Sequence, residues 1–447
     1  MSLVAALGAA VGHAEGTHGL QVGARNATLH PISRGLADAE LIDPVSDQGQ
    51  RARGLYFNGP MQRRLGAAGI IRSVRAASMN AVVLDFKDGE GRVGWDTQIA
   101  ALQPQKRAFI KDMPGLVKQL KDAGIYTIAR VVCFSDPYLP RNEPERAVMD
   151  NRPRKQGRLW ADWGGRNTWL DPYNTKNHDL IVAMAKEVET VGVDEIQFDY
   201  IRFPVDEATK FATFPAEVPT PRRQVLLGMI ERIDEAVHIP IGADVFGLTT
   251  FRPGDPDGLG QDLGAWASHM DVFSPMLYLN GMTNIVPKSG KSQRAQKLIY
   301  VGVKNLRERV GDGPVIRPFL QAFENGADYY NPEFIAEQIR GAREGGADGF
   351  LFWHPGSRYK MVQLGMAGPA RGLYPFPMEE RMTWRKQAWG VPEGLDASET
   401  RDARADAATD TAADAAADTA AEPAPAPAPA IPAQPNEQAR QASPARE

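Results

Sequence analysis

The stretch ETVGVDEIQFDYIRFP (189–204) decides the architecture. Gly192 closes a helical segment, since glycine tolerates the left-handed geometry that ends a helix and turns the chain back. A run of β-branched and aromatic residues follows at once, the composition of a buried strand. Arg202 and Pro204 then open a loop. The same order of glycine turn and apolar run returns in KDAGIYT (121–127) and EGGADGFLF (344–352).

Outward from this unit the pattern repeats along the chain. Eight apolar runs are readable: 52–59, 81–88, 126–134, 195–204, 240–247, 271–279, 315–323 and 349–356. Amphipathic stretches separate them, among them MPGLVKQLKDAG (113–124) and NPEFIAEQIRGAREGG (331–346). The second begins with an Asn cap followed by Pro, a good helix start. Eight near-continuous apolar strands, each followed by a helix, predict a closed parallel (β/α)8 TIM barrel with long βα loops. An open dinucleotide-binding sheet would place a GxGxxG turn after its first strand, and no such turn is present.

The barrel is expected over residues 51–395, between two ends of different character. Residues 1–50 are a lead-in whose opening, MSLVAALGAAVGHAEG (1–16), reads as a weak or clipped export signal with a cleavage site at Ala14. Residues 396–447 repeat Ala, Asp and Thr and pass into PAPAPAPAIPAQP, a stiff soluble spacer that cannot build a core. This disordered Ala/Pro/Asp-rich tail is a candidate tether to the cell envelope. The expected location is therefore periplasmic or extracellular.

Composition removes several classes of function. The net charge is −4, but ten acidic and four basic residues from Asp396 onward carry −6, which leaves about +2 for the remainder. A near-neutral body without a Lys/Arg stripe gives no footprint for nucleic acid. No segment approaches the ~20 apolar residues of a membrane span. The single cysteine, Cys133, allows no internal disulfide, and its apolar setting (VVCF) marks it as an inert small hydrophobe. No cofactor is expected. Nor is a metal, because the first strand has no histidine and the seven histidines are scattered.

In this architecture chemistry sits at the C-terminal ends of the strands. A carboxylate inside an apolar strand costs several kcal/mol to bury unpaired, so it needs a reason to be there. Asp199 ends the fourth run, on the same face as Gln197 by the two-residue period, with Arg202 close behind. Asp244 is the lone polar side chain near the exit of the fifth run, and Glu324 follows the seventh. Asp199 is the expected nucleophile or water-activating base, and Asp244 or Glu324 the proton donor. Asp85 and Lys87 share a face at the end of the second run, placed to orient substrate. Aromatic residues gather at the same rim: Trp160, Trp163, Trp169 and Tyr173 in the third βα loop (135–176), Tyr278 after the sixth run, and Trp353 with His354 on the eighth. Flat aromatic faces stack on the C–H faces of sugars, so Trp169, Tyr278, Trp353 and His354 join Gln197 and Arg202 as expected substrate contacts. Asp171, in WLDPYN, reads either as a substrate-binding carboxylate or as a turn-former before Pro172.

Several of these strings are long enough to be distinctive: RGLYFNG, NAVVLDFKDGEG, YTIARVVCFSDP, WLDPYN, DEIQFDYIRFP, GADVFG and FLFWHPG. Together, across residues 52–375, they resemble a bacterial "putative glycoside hydrolase domain" family, a barrel family distantly similar to the α-amylase clan. The resemblance implies a (β/α)8 catalytic domain acting on a polysaccharide or oligosaccharide. In the clan the nucleophile is an aspartate ending the fourth strand, the acid/base a glutamate ending the fifth, and a second aspartate follows the seventh. Asp199 matches the first position. Asp244 stands where a glutamate is expected, and Glu324 where an aspartate is.

Two other readings follow from the same residues. A lysine-dependent barrel would use Lys87 as a Schiff-base nucleophile, although no glycine-rich phosphate site accompanies it. A barrel that binds glycan or a cell-envelope partner without cleaving it would use the rim aromatics alone.

Overall fold

A computed structural model describes residues 45–374, apart from 108, 156, 163–167, 206–208, 256–257 and 287–292. The expected export signal, Trp163 and the C-terminal tail lie outside the described residues.

The eight apolar runs form eight barrel strands. The first four are Arg53–Phe57, Ala81–Lys87, Tyr126–Val132 and Glu195–Asp199. The fifth and sixth are Ile241–Phe246 and Val272–Met276, and the eighth is Phe350–Trp353. The seventh is in two pieces, Val315–Ile316 and Phe319–Gln321, separated around Pro318, which has no N–H to give the ladder. Every strand pairs in parallel with the next, and the eighth pairs with the first through Arg53↔Phe350, so the sheet closes.

The local signals act as read. The turns at Gly124, Gly192 and Gly346 have φ of +76°, +90° and +86°, the left-handed region that glycine enters without a Cβ penalty. The helix Pro332–Gly345 starts with the Asn331 side chain accepting from the Phe334 N–H at 3.1 Å. Among the described residues no helix is long and apolar enough to cross a membrane.

The period of two sends alternate side chains into the barrel and stacks them in layers. The lowest layer pairs Glu195 with Arg317, and the Tyr126 hydroxyl donates to the same carboxylate at 3.1 Å. Above it, Gln197 Nε2 donates to Ser274 Oγ at 2.9 Å. The top layer, at the C-terminal mouth, carries Tyr56, Asp85, Arg130, Asp199 and Asp244. An apolar set including Val83, Ile128, Phe319 and Leu351 packs together with the Tyr56 ring.

The long third βα loop is anchored. It contributes Met149–Asp150 and Arg158–Leu159 to a three-stranded antiparallel sheet whose third strand, Ala212–Thr213, belongs to the fourth loop. Trp160 and Trp169, in the same loop, are buried.

Candidate active site

Arg130 is the centre of the upper layer, and the reading of the sequence had not singled it out. Its Nη1 donates to Asp85 Oδ1 at 2.6 Å. Nε and Nη2 both donate to Asp199 Oδ2, at 3.0 and 2.5 Å. Nε also lies 3.9 Å from Asp244 Oδ2. Tyr56, from the first strand, donates its hydroxyl to Asp85 Oδ2 at 2.6 Å and lies beneath the guanidinium. One cation therefore faces three buried carboxyl groups.

The three acids are not equivalent. Asp199 Oδ2 takes two charge-assisted bonds from Arg130, and Oδ1 accepts the Tyr200 N–H at 2.6 Å, all contacts that suit a carboxylate. Asp244 is 2% exposed, and its Oδ1 has no hydrogen-bond partner among the described residues. Burial first, and the neighbouring charge of Asp199 second, raise its carboxyl well above the usual carboxylate range; Arg130 opposes this only in part. Burial also pushes Asp85 up to about 6 against the pull of Arg130. The fold thus sets an aspartate that accepts three hydrogen bonds beside a second acid whose carboxyl is pushed well above the usual carboxylate range.

Aromatic rings wall the opposite side. Trp353 lies 6.2 Å from Tyr56, 5.5 Å from Tyr278 and 5.5 Å from Phe323, with Tyr278 and Trp353 half-buried. Burial first, and then the nearby acids Asp244 and Asp199, raise the Tyr278 hydroxyl well above its ordinary value. His354 accepts the Gly356 N–H on Nδ1 at 2.8 Å, and burial lowers it to about 4, so it is neutral.

Other expected contacts are placed differently. The pairing of the second and third strands slips between Asp85 and Lys87, so the strict two-residue period fails there. Lys87, 0% exposed, bonds to Asp136 at 3.0 Å and to the Val132 carbonyl at 3.1 Å, while Asp85 goes to Arg130. A Schiff base needs an accessible amine. Borohydride reduction in the presence of carbonyl compounds is expected to leave Lys87 unlabelled, and a mass increase on its peptide would contradict this placement.

Asp171 Oδ1 accepts the Tyr173 N–H and Oδ2 the Ala216 N–H, both at 2.9 Å, which joins the third loop to the fourth. Asp171→Ala is expected to lower the urea midpoint, with a loss of about 1–3 kcal/mol from the donors left behind. Trp169 is fully buried, Gln197 is sealed in the middle layer, and Glu324 is exposed, with its charge acting on Tyr330. Arg202 packs among Trp169, Tyr200 and Phe246, its guanidinium 5.0, 5.2 and 5.3 Å from the three rings. Among the described residues no group of three His, Cys, Asp or Glu side chains is arranged to hold a metal.

Fold and site together define a (β/α)8 barrel with an acidic cluster and an aromatic wall at its C-terminal mouth. The chain belongs to the family described as "Putative glycosyl hydrolase domain", whose model matches residues 55–359. No curated protein matches it. Among solved structures it is similar to the PgaB (BpsB) glycoside hydrolase domain from Bordetella bronchiseptica, at 15% identity and a TM-score of 0.52, covering 72% of this chain and 98% of that one. A hypothetical protein from Ruminiclostridium thermocellum shares 29% identity over 43% of this chain and 97% of its own, with a TM-score of 0.38. An alpha-galactosidase from Thermus thermophilus matches at 12% identity and a TM-score of 0.43, over 76% of this chain and 62% of that one.

Proposed function

We propose that the chain hydrolyses glycosidic bonds of a polysaccharide or oligosaccharide through Asp199 and Asp244. One observation carries this reading: both acids reach Arg130 Nε, and only Asp199 is saturated by it. Asp199 attacks the anomeric carbon, or activates water toward it. Asp244 gives its proton to the departing oxygen, and Arg130 is then 3.9 Å from the new negative charge. Glu324, exposed beyond the seventh strand, is the weaker choice of donor.

The two Oδ2 atoms can be no farther apart than the 3.0 and 3.9 Å legs laid end to end. That limit falls short of nearly all of the ~6.5–9.5 Å range that leaves room for an inverting water, and it favours retention through a glycosyl-enzyme. Tyr278 and Trp353, both half-buried, offer ring faces to the sugar.

The test is a panel of neutral and charged glycans assayed for new reducing ends, with NMR of the first-formed anomer on any glycan cleaved. Cleavage with retained configuration is the expected result. Tight binding of a glycan without cleavage would turn the same aromatic wall into a binding module. The reading includes export, which N-terminal sequencing of the protein from the cell envelope or medium would check.

A further inference from the structure

The fourth strand ends in an unusual way. Tyr200, directly after Asp199, has a φ of +51°, a left-handed conformation that a bulky side chain rarely adopts without external support. Its backbone still serves the site: the N–H bonds Asp199 Oδ1, and the carbonyl accepts the Phe134 N–H at 3.3 Å. The support comes from Arg202, two residues on. Its guanidinium packs against Tyr200 from the fourth strand end, Trp169 from the third loop and Phe246 from the end of the fifth strand. Its Nη1 also donates to the Phe203 carbonyl at 3.1 Å. Phe246 shares the inward face with Asp244, two residues before it, and its N–H is fixed by Gln261 at 2.9 Å.

We infer that Arg202 is a positioning residue: its guanidinium, held among three rings, pins the end of the fourth strand to that of the fifth and so sets the separation of Asp199 and Asp244. The inference rests on the two-carboxylate reading. A planar cation suits the task, because it can stack on several aromatic faces at once while its edge N–H groups bond the backbone. Arg202 itself needs no contact with substrate. Its loss lets the strained Tyr200 turn relax and the two acids drift apart, and a displacement near 1 Å is enough to cost on the order of 100-fold in turnover.

The test compares wild type, Arg202→Met, Arg202→Lys and Phe246→Leu in two ways. The first is substrate-free: NMR titration of 13C-labelled aspartate carboxyls, with Asp244 assigned by its loss in Asp244→Asn. Burial raises the Asp244 carboxyl most and the charge of Asp199 next, with Arg130 and Arg317 opposing and Glu195 adding to it, so at unchanged burial a lower midpoint reports a greater distance to Asp199. Arg202→Met is expected to lower the Asp244 midpoint by the part that Asp199 contributes, burial keeping it above the ordinary carboxylate range, with Arg202→Lys intermediate. The second is kinetic, on a glycan that wild type cleaves. Arg202→Met is expected to lower kcat by on the order of 100-fold with KM within twofold. If Arg202→Met does not fold, Phe246→Leu, which removes one ring and keeps the cation, is expected to show the same changes at smaller size. Folded variants with a wild-type Asp244 midpoint, or a raised KM with unchanged kcat, would overturn the positioning role alone. An ordinary Asp244 midpoint in wild type would instead overturn the two-carboxylate reading, and this inference with it.

Discussion

Arg130→Met is expected to cost about 3–5 kcal/mol of stability at pH 7 and to regain much of it on acidification. Methionine fills most of the arginine's volume, so the loss is electrostatic rather than a cavity. Arg130 supplies the bonds to Asp85 and Asp199 and the nearest positive charge to Asp244. Without it three acids share a buried space with no cation among them. Against a typical total of 5–15 kcal/mol, that loss places the variant close to unfolding. The sign of the pH effect follows from linkage. In the folded variant the carboxyls titrate above their unfolded values near 4, so in that window the folded state binds more protons than the unfolded one. The penalty is full above the raised folded values and fades as pH falls toward 4. Wild type shows the same sign on a smaller scale through Asp85 at about 6: stability falls as pH rises from about 4 through 6. Urea midpoints at pH 5 and 7 provide the check. A variant as stable as wild type at pH 7, or one further destabilised by acid, would contradict the shared-cation arrangement.

Asp244→Asn is expected to keep the fold and to lower kcat by about 10²–10⁴ on glycans whose leaving group needs a proton. The amide preserves the side chain's shape but has no acidic proton to donate. Aryl glycosides with acidic phenol leaving groups depart unaided and are expected to lose far less. The alkaline limb of the wild-type pH–rate profile, where Asp244 loses its proton, is expected to vanish in the variant. Equal losses on both substrate types would move the proton donor elsewhere, with Glu324 the next residue to replace.

Much of this was legible in the sequence because backbone periodicity and buried charge leave clear marks. AVVLDFK is apolar enough to read as a buried strand, EIQFD alternates polar and apolar residues at the period of two, and the glycines before Tyr126, Glu195 and Phe350 announce where strands begin. Asp199 and Asp244 stand out because an acid in such a strand needs a partner. Arg130 gave the same signal, a lone charge in TIARVV on the inward face that needs buried partners just as the acids do. Tyr56 gave a weaker one, as aromatic residues are ordinary in strands. Lys87 was misplaced by a bulge that no residue type announces. Trp169 and Arg202 show a different limit. Composition shows that an aromatic residue or an arginine lies near the rim, but only packing decides whether it faces the mouth or the core. Asp171 followed its local chemistry and became a turn-former whose second oxygen ties down the neighbouring loop.

The central claim is that Asp199, set in place by Arg130, reacts with the sugar. It is tested most directly by the rate of reducing-end release from a cleaved glycan by Asp199→Asn, alongside a thermal melt of the same preparation. A melt within a few degrees of wild type is expected, with a rate reduced by about a thousandfold or more, equivalent to roughly 4 kcal/mol of transition-state stabilisation. A folded Asp199→Asn protein that cleaves at the wild-type rate would contradict it.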